Sequence, residues 1–578
     1  MGWPRATKIF TIEARPGNPL WAVGSKPARP VTKSNLISRS KTSTLPAVAK
    51  MELHGYNFIA GRLSGESTDT ISVVNPATGE TLPTAFHQAS PAEINVALAA
   101  ADRTHADKRG LLPERIASLL EHIAEEILAL GNDLIARGMA ETGLPEQRLL
   151  GERARSVNQL RMFASLVREG SWVDPVIDTA DPNRQPLPKP DVRRMLRPIG
   201  PVVVFGAGNF PFAFGACGGD TASALAAGNP VVVKAHSGHP GTNELFAHAA
   251  TAAVKACGLP AGLFSLLQGP GSTVGQALVK HPATRAVGFT GSKRAGRLLF
   301  DLAAARPVPI PVYAEMGSLN PLVILPGALA ERSEKIANGL AQSITLGVGQ
   351  FCTKPGLIFL IDGPAADNFV RQLAKQLSAV PAAPMLDLAM RTSFCEAAAR
   401  YAKTPGVRHA LAVEPAGFAS MSPLLFETDS VTWLREATLH EEAFGPAALV
   451  IRCRDLEDLK VSVAAAGGNL TATIHSGPTD SAAQVRALAE TVEQQVGRII
   501  FDGFPTGVEV CHAMVHGGPY PATSAPLTTS VGTLAIHRFA RPVCYQNVPD
   551  PFLPPELRNQ NPRKIWRLVN GQLTQNDV

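Results

Sequence analysis

The chain has 578 residues, of which 45% are apolar and 18% are charged, a composition typical of a globular protein with two or three domains. The formal net charge of +6 arises in residues 1–50, which hold nine Lys or Arg and one acidic residue. The remaining residues carry about −2, so a basic nucleic-acid-binding surface is not supported. No apolar run reaches the roughly 18 residues that a transmembrane helix needs, so no membrane partner is expected.

Residues 1–50 are rich in Pro, Ser, Thr and Arg and show no sustained hydrophobic period, which predicts a disordered leader. An upstream start codon or a flexible tail accounts for it most simply. An organellar transit peptide is the alternative, because acidic residues are scarce. The seven cysteines are an odd number without close pairing, and no secretory signal opens the chain. These features favour reduced thiols and a cytoplasmic protein.

Helical periodicity covers residues 90–170, with Ser90 as the expected cap and Pro91 at the first helical position. A proline-rich connector follows at residues 180–190. The pattern then changes to short apolar strands separated by helices, which indicates parallel βαβ units. The predicted strands are residues 199–205, 230–234, 264–268, 285–289 and 310–315. Ligands bind beyond the carboxyl ends of such strands, so the residues that follow each strand are the informative ones.

A second alternating stretch covers residues 320–501, with a helix at 331–346 and strands at 357–361, 447–453 and 470–475. It predicts a second α/β domain. Residues 504–578 are rich in Gly and Pro and are expected to pack back on the first domain and on a partner subunit.

Cys352 ends the run Gly-Gln-Phe-Cys between the second domain's first predicted helix and strand. The glycines at 347 and 349 permit a tight turn there. A cysteine on such a junction can stand exposed in a cleft, where its thiolate attacks a carbonyl carbon. A lone cysteine is more often a small buried hydrophobe, so the assignment depends on the residues elsewhere in the chain.

Four predicted strand ends carry polar residues. Asn209 follows the first strand, and its amide could stabilise an oxyanion or simply form a turn. Lys234 ends the second strand, where it could reach a cofactor or be solvated. Gly291 and Ser292 open a helix whose amides could face a pyrophosphate. Glu315 ends a strand among apolar neighbours, which we expect to raise its pKa and suit it to general-base work.

Together these elements resemble the NAD(P)-dependent aldehyde dehydrogenase superfamily over residues 53–547. Six short motifs occur in the family's order: Asn209-Phe-Pro, Val-Val-Lys234, Phe-Thr-Gly-Ser292, Glu315-x-Gly, Gly-Gln-x-Cys352 and Glu442-x-Phe-Gly-Pro. The sequence segments at 236–242, 315–321, 505–519 and 541–547 are similar to those of the bacterial 2-oxoglutarate-semialdehyde (2,5-dioxopentanoate) dehydrogenases. That branch is also similar to the NADP-dependent long-chain aldehyde dehydrogenases.

The resemblance implies an α/β fold with a Rossmann-type cofactor domain, a second α/β catalytic domain and an oligomerisation segment. We therefore expect an NAD(P)-binding domain at 51–317 with an oligomerisation connector at 183–198, and a catalytic domain at 318–515. Residues 516–578 would return to the cofactor domain and the subunit interface. A cytoplasmic homodimer or homotetramer is expected.

The resemblance also implies the chemistry. Cys352 would add to the aldehyde, the Asn209 amide and the Cys352 backbone N–H would hold the oxyanion, and Glu315 would activate water against the thioester. A CoA-acylating relative is disfavoured because such a base would promote hydrolysis of the thioester before CoA could accept the acyl group. A catalytically silent binding protein on the same scaffold is disfavoured because all three residues are present.

By the same resemblance, Lys234 and Glu442 would bind the cofactor riboses, Gly291 and Ser292 the pyrophosphate, and Phe444 would also line the cofactor site. NAD-preferring members carry a glutamate three residues after the lysine, where this chain has Ser237. A 2′-phosphate could then be accepted by Ser237, Lys234 and the His236 imidazole together. We therefore expect NADP, with weaker use of NAD.

The aldehyde itself is the least determined feature. The segments shared with that branch favour 2-oxoglutarate semialdehyde. The hydrogen-bond donors expected to bind its carboxylate are Thr506, His512, His516 and the amides of Gly517 and Gly518. The neighbouring phenylalanines Phe210, Phe212, Phe351 and Phe504 would equally suit a fatty aldehyde. His512 and His516 are spaced for zinc on a helix, but Ala513 and the nearby Gly and Pro disfavour it, and no metal is expected.

Overall fold

The computed structural model describes residues 52–107, 111–412 and 417–578. The predicted disordered leader, residues 1–50, lies outside them. The α-helices of the described residues are α1 (Pro91–Ala106), α2 (Pro113–Ala129), α3 (Gly131–Thr142), α4 (Glu146–Glu169), α5 (Gly219–Ala226), α6 (Pro240–Ala256), α7 (Gln276–Lys280), α8 (Lys293–Ala304), α9 (Pro326–Thr345), α10 (Pro364–Ser378), α11 (Leu388–Lys403), α12 (Ser430–Arg435), α13 (Leu456–Ala464) and α14 (Ala482–Glu493).

The strands of the described residues are β1 (Asn57–Ile59), β2 (Arg62–Ser64), β3 (Thr70–Ile71), β4 (Phe86–His87), β5 (Val176–Asp178), β6 (Val192–Pro198), β7 (Val202–Phe205), β8 (Val231–Lys234), β9 (Phe264–Leu267), β10 (Ala286–Thr290), β11 (Val312–Glu315), β12 (Pro321–Ile324), β13 (Leu357–Ile361), β14 (Ala383–Pro384), β15 (Arg408–Leu411), β16 (Ser420–Met421), β17 (Leu424–Asp429), β18 (Ala447–Cys453), β19 (Asn469–His475), β20 (Val496–Phe501), β21 (Ala540–Gln546), β22 (Arg567–Val569) and β23 (Gln572–Thr574).

The predicted helical stretch at 90–170 forms α1 to α4. The Ser90 hydroxyl accepts the Glu93 N–H, and the Glu93 carboxylate accepts the Ser90 N–H, so a reciprocal capping box starts α1. Helix α2 buries a continuous apolar stripe that includes Ile116, Leu120 and Ile127. Within the described residues, no helix is both long enough and apolar enough to cross a bilayer.

The first large sheet has the strand order β11-β10-β7-β8-β9-β1-β2. Strands β7 to β11 are parallel, and β1 joins β9 in antiparallel fashion. Their residues are almost all buried, because helices cover both faces of such a sheet. Because these strands are parallel, the carboxyl ends of β7, β8, β10 and β11 lie at one edge. The chain reverses its direction of winding between β7 and β10, where such sheets form a ligand-binding crevice.

The second large sheet has the order β15-β17-β18-β13-β12-β19-β20 and is parallel apart from β15. Strands β13 and β18 occupy the residues that the sequence predicted, and the predicted helix at 331–346 corresponds to α9, which begins five residues earlier and ends at Thr345. The two sheets, each flanked by helices, confirm the expected α/β class with a Rossmann-type domain and a second α/β domain. The exact domain boundaries stay predictions.

A third sheet, ordered β21-β6-β5-β22-β23, joins the C-terminal segment to earlier parts of the chain. Strand β21 pairs with β6 along seven residues, and β22 pairs with β5. The predicted connector at 183–198 therefore ends in a strand of this sheet. Nearer the first sheet, Glu315 forms a backbone bridge with Thr523, and Met316 N–H donates to the Ala522 carbonyl at 2.7 Å. These bonds place residues 516–530 beside the end of β11.

Candidate active site

Cys352 lies on the turn between α9 and β13, and its side chain is half-buried. The preceding turn needs left-handed backbone at Gly347, Val348 and Gly349, with φ between 57° and 66°. A Cβ at Gly349 would lie 2.3 Å from the Gly445 carbonyl group, so only glycine fits there. The Glu442-x-Phe-Gly-Pro motif thus packs directly against the turn that presents the thiol.

His516 bridges the thiol and the predicted base. Its Nε2 lies 3.4 Å from Cys352 Sγ and 3.0 Å from Glu315 Oε1. Because Nε2 carries at most one proton, it either donates to the carboxylate or accepts from the thiol at a given moment. The sequence placed His516 among the carboxylate donors for the substrate, and the structure instead places it inside the catalytic cluster.

Ser530 completes this cluster from the same C-terminal segment. Its hydroxyl donates to Glu315 Oε2 at 2.5 Å. The Ser530 N–H donates to the His516 carbonyl, and the His516 N–H donates to Thr529 Oγ1, both at 2.8 Å. The loop therefore fixes the imidazole and the serine hydroxyl together, and each occupies one oxygen of the carboxylate.

The expectation of a raised pKa for Glu315 is wrong. Burial alone would raise the pKa, but the charge of His516 and the hydrogen bonds from His516 and Ser530 outweigh it. The net result is a Glu315 pKa below its usual range. Glu315 therefore stays ionised at neutral pH, ready to accept a proton, and His516 is the second group that can act as a base at the thiol.

The pKa of the Cys352 thiol lies well above its usual range. Burial and then the negative charge of Glu315 disfavour the thiolate, and the charge of Arg155 offsets only part of this. The resting group is therefore a protonated thiol. Attack on an aldehyde requires a base to remove its proton, and His516 and Glu315 are both in position to do so.

Asn209 follows β7 as predicted and comes to the Cys352 turn. Its amide Nδ2 donates to the Gln350 carbonyl at 3.0 Å, two residues before the nucleophile. Arg148 Nη2 donates to the Asn209 carbonyl at 3.3 Å and holds the turn from α4. The structure thus brings Asn209, Cys352 and Glu315 together, as the sequence predicted, and their catalytic roles stay proposals.

A buried amide that the sequence analysis missed anchors the nucleophile. Asn320 Nδ2 donates to the carbonyls of Cys352 and Lys354, at 2.8 and 2.9 Å. Asn320 Oδ1 accepts the Ser318 hydroxyl at 2.8 Å. The Asn-Pro pair that opens β12 was the available signal, and its side chain ties the turn to the sheet.

The three residues predicted to receive a 2′-phosphate lie at the end of β8. Burial lowers the pKa of Lys234 to about 8. The Ser237 hydroxyl donates to the Gly269 carbonyl at 3.3 Å. The His236 Nδ1 accepts the Gly238 N–H, and burial holds its pKa well below the usual range, so the ring is neutral and offers only Nε2.

The remaining cofactor candidates lie around the same cleft. Ser292 caps α8 by accepting the Ala295 N–H, which leaves the first amides of that helix pointing outward. Glu442 has a raised pKa through burial, and its Oε1 is a buried acceptor without a partner among the described residues. An unpaired acceptor fits a ribose hydroxyl donor. Phe444 is half-buried beside it, and Gly291 N–H donates to the Glu315 carbonyl.

The other predicted substrate donors are arranged differently from expectation. Thr506 Oγ1 lies 2.7 Å from Ser343 Oγ and donates to the Ser343 carbonyl, so its hydroxyl binds the loop to α9. His512 is exposed, whereas His516 is buried. One donor atom each from Glu315, Cys352 and His516 lies within 4.8 Å of the others, a spacing that also describes their hydrogen-bonded cluster.

Comparison with known proteins agrees with this geometry. The profile of the Aldehyde dehydrogenase family matches residues 63–510. The chain is 49% identical over 525 residues to alpha-ketoglutaric semialdehyde dehydrogenase 2 of Azospirillum brasilense. This alignment covers 90% of this chain and 100% of that protein. It is 44% identical over 527 residues to alpha-ketoglutaric semialdehyde dehydrogenase of Acinetobacter baylyi, and this alignment covers 91% of this chain and 100% of that protein.

Solved structures share the fold at lower identity. Lactaldehyde dehydrogenase from Escherichia coli superposes with a TM-score of 0.72 at 22% identity, covering 85% of this chain and 99% of that one. A 3,6-anhydro-L-galactose dehydrogenase in complex with NAP superposes with a TM-score of 0.73 at 21% identity, covering 86% of this chain and 100% of that one. The family profile, the two full-length relatives and the shared fold agree with the motifs around Cys352. The chain therefore belongs to the aldehyde dehydrogenase family.

Proposed function

We propose that the protein oxidises 2-oxoglutarate semialdehyde to 2-oxoglutarate with NADP as the hydride acceptor. The hydrogen-bonded cluster of Cys352, His516 and Glu315 is the observation that supports the chemistry. The two full-length relatives with that substrate in their names support the choice of aldehyde.

The reaction begins with removal of the Cys352 proton by the His516–Glu315 pair. The thiolate forms a C–S bond to the aldehyde carbon, and the carbonyl oxygen becomes an alkoxide. The Asn209 amide would turn from the Gln350 carbonyl to this oxygen, a contribution of about 3 kcal/mol for one such donor. The bound nicotinamide ring supplies the hydride acceptor for that carbon.

Loss of hydride leaves a thioester on Cys352. The pair then releases to solvent the proton that it took from the thiol, so that it can act as a base towards water. Glu315 is ionised and His516 lies between it and the sulfur, so the pair can take a proton from water as it attacks the carbonyl carbon. The C–S bond breaks, the carboxylic acid leaves, and the proton returns to the thiol. The Ser530 hydroxyl keeps the carboxylate oriented throughout.

A long-chain aldehyde is the second candidate, because an apolar cluster borders the thiol. Phe210 and Phe351 pack edge to face with centroids 5.1 Å apart, and Phe214 packs on the same group. Phe212 and Phe504, by contrast, belong to other apolar clusters. Only part of the predicted aromatic set therefore faces the nucleophile.

The substrate choice predicts a difference in specificity constants. We expect kcat/KM for 2-oxoglutarate semialdehyde to exceed that for straight-chain aldehydes of about six to twelve carbons by at least tenfold, which corresponds to about 1.4 kcal/mol in transition-state binding. Steady-state assays of reduced-cofactor absorbance measure both. If the neutral chains are preferred by tenfold or more, the long-chain assignment replaces the oxo acid.

The cofactor choice predicts the effect of a charge at position 237. We expect the wild type to prefer NADP and Ser237→Glu to shift the preference towards NAD, because a carboxylate repels the 2′-phosphate and accepts ribose hydroxyls. The ratio of kcat/KM values for the two cofactors reports the shift, and Ser165→Glu, at an exposed position of α4, is the control. Equal use of both by the wild type would refute the role of this position.

We also propose that the chain works as a cytoplasmic homodimer or homotetramer, with residues 183–198 and 516–578 contributing to the interface. Strand β21 is an edge strand, and Leu187 and Leu573 are exposed apolar side chains in these regions, at 69% and 67%. Edge strands and exposed apolar side chains favour association with a second subunit.

A further inference from the structure

Arg155 on α4 lies at the wall of the active site. Its guanidinium carbon is 5.6 Å from the ring centroids of both Phe210 and Phe214. Phe210 in turn packs on Phe351, the residue before the nucleophile. Burial lowers the pKa of Arg155, and the charge that Cys352 carries as a thiolate offsets part of this. A cation therefore stands in an apolar wall beside the reacting sulfur.

This cation has no counter-ion of its own among the described residues. The nearest acid on the helix is Glu152, whose Oε1 pairs with Arg148 at 2.8 Å. The other oxygen, Oε2, accepts the backbone N–H groups of Phe212 and Ala213, at 3.2 and 3.3 Å. Both oxygens of that carboxylate are thus committed to other donors.

Part of the guanidinium is also unsatisfied. Arg155 Nε is buried and has no hydrogen-bond partner within the described part of the chain. Buried donors in proteins are nearly always paired, and a planar guanidinium presents donors at the spacing of a carboxylate's two oxygens. An unpaired Arg in an apolar cleft therefore points to an anionic ligand that approaches from the cleft.

We propose that Arg155 binds the carboxylate at the far end of the substrate, an inference that rests on the proposed oxidation of an oxo-acid semialdehyde. The five-carbon chain extends about 6 Å from the aldehyde carbon to the carboxylate oxygens, and the proposal requires this chain to reach from Cys352 to the Arg155 guanidinium. Charge-assisted pairing would fix the aldehyde against Cys352, and the phenylalanines would cover the methylene groups. Arg155 then selects carboxylated aldehydes over neutral ones of the same length.

The test compares two aldehydes that differ only in the terminal group, 5-oxopentanoate and pentanal. We expect Arg155→Met to lower kcat/KM for 5-oxopentanoate roughly 100-fold, mainly through KM, because a charged hydrogen-bonded pair is lost. Pentanal should change by less than about threefold. Arg161→Met is the matched control, since that residue lies on the same helix, is exposed and pairs with Glu125.

Two further results separate the explanations. An equal loss on both aldehydes would show that Arg155 acts on the Cys352 thiol and would overturn the proposal, as would no loss on either. Arg155→Lys keeps the charge but not the guanidinium, and we expect its KM for 5-oxopentanoate to lie between those of the wild type and Arg155→Met. If Arg155→Met fails to fold, Arg155→Lys alone is the test. A KM equal to that of the wild type would then refute pairing through the guanidinium. Preference of the wild type for long neutral aldehydes would instead refute the proposed substrate, whatever the variants do.

Discussion

Cys352→Ala is expected to abolish aldehyde oxidation and to leave cofactor binding nearly intact. The sulfur forms the bond that converts the aldehyde carbon into a hydride donor, and no other group in the cluster can replace it. Its neighbours His516 and Glu315 keep their mutual hydrogen bond when the thiol is removed. Steady-state turnover and the fluorescence of bound reduced cofactor measure the two properties separately.

Cys395→Ala provides the control for this variant. Cys395 is half-buried in α11 and contacts Met421 Sδ at 3.8 Å, away from the catalytic cluster. We expect it to retain wild-type turnover. Residual activity of Cys352→Ala above about one per cent of wild type would contradict the nucleophile assignment, because loss of a nucleophile removes several orders of magnitude in rate.

Glu315→Gln is expected to release one burst of reduced cofactor per active site and then to stall at the thioester. The amide cannot take the proton of the attacking water, so hydrolysis slows while hydride transfer continues. The Glu315 charge is also one of the two main causes that raise the pKa of the Cys352 thiol. Removing that charge lowers the thiol pKa, so the burst rate should reach its plateau at a lower pH than in the wild type.

Stopped-flow absorbance between about pH 6 and pH 9 would show both effects. His516→Gln in the same assay separates the two bases, since it keeps the carboxylate charge and removes the imidazole beside the sulfur. If the burst of Glu315→Gln disappears as completely as its turnover, the carboxylate is needed to ionise the thiol. The expectation that His516 can ionise the thiol without the carboxylate would then be wrong.

Much of the site could be predicted from the sequence because parallel strands deliver their carboxyl ends to one edge. Asn209, Lys234 and Glu315 each follow or end a short apolar strand, and the structure places those strands in one parallel sheet. Strand β18 and strand β13 begin and end at the predicted residues because their apolar runs are bounded by Gly, Pro or charged residues.

The catalytic imidazole could not be predicted in the same way. His516 lies 201 residues after Glu315, in a Gly- and Pro-rich loop without periodicity. Its position depends on the backbone bridge between Glu315 and Thr523, a tertiary contact with no local signal. The error over the pKa of Glu315 has the same origin, because His516 and Ser530, the first two of the groups that lower it, come from that distant loop.

Arg155 was missed for a related reason. The sequence predicts the carboxylate donors in the loop after residue 504, whereas residues 90–170 show only a helical period, which does not indicate what a single arginine contacts. Helix α4 carries arginines at 148, 153, 155, 161 and 168, and only their contacts distinguish Arg155, whose Nε is unpaired within the described residues, from the others.

The bridge between the C-terminal loop and β11 has a consequence for biosynthesis. Ribosomes deliver the chain from its N-terminus, so the Cys352 turn emerges before His516 and Ser530 exist. A nascent chain that ends before residue 516 lacks both side chains that hold the Glu315 carboxylate. Contacts so distant in sequence also form late in folding. The imidazole that contacts the reactive thiol therefore exists only after nearly the whole polypeptide has been made, although Cys352 and Glu315 are synthesised well before it.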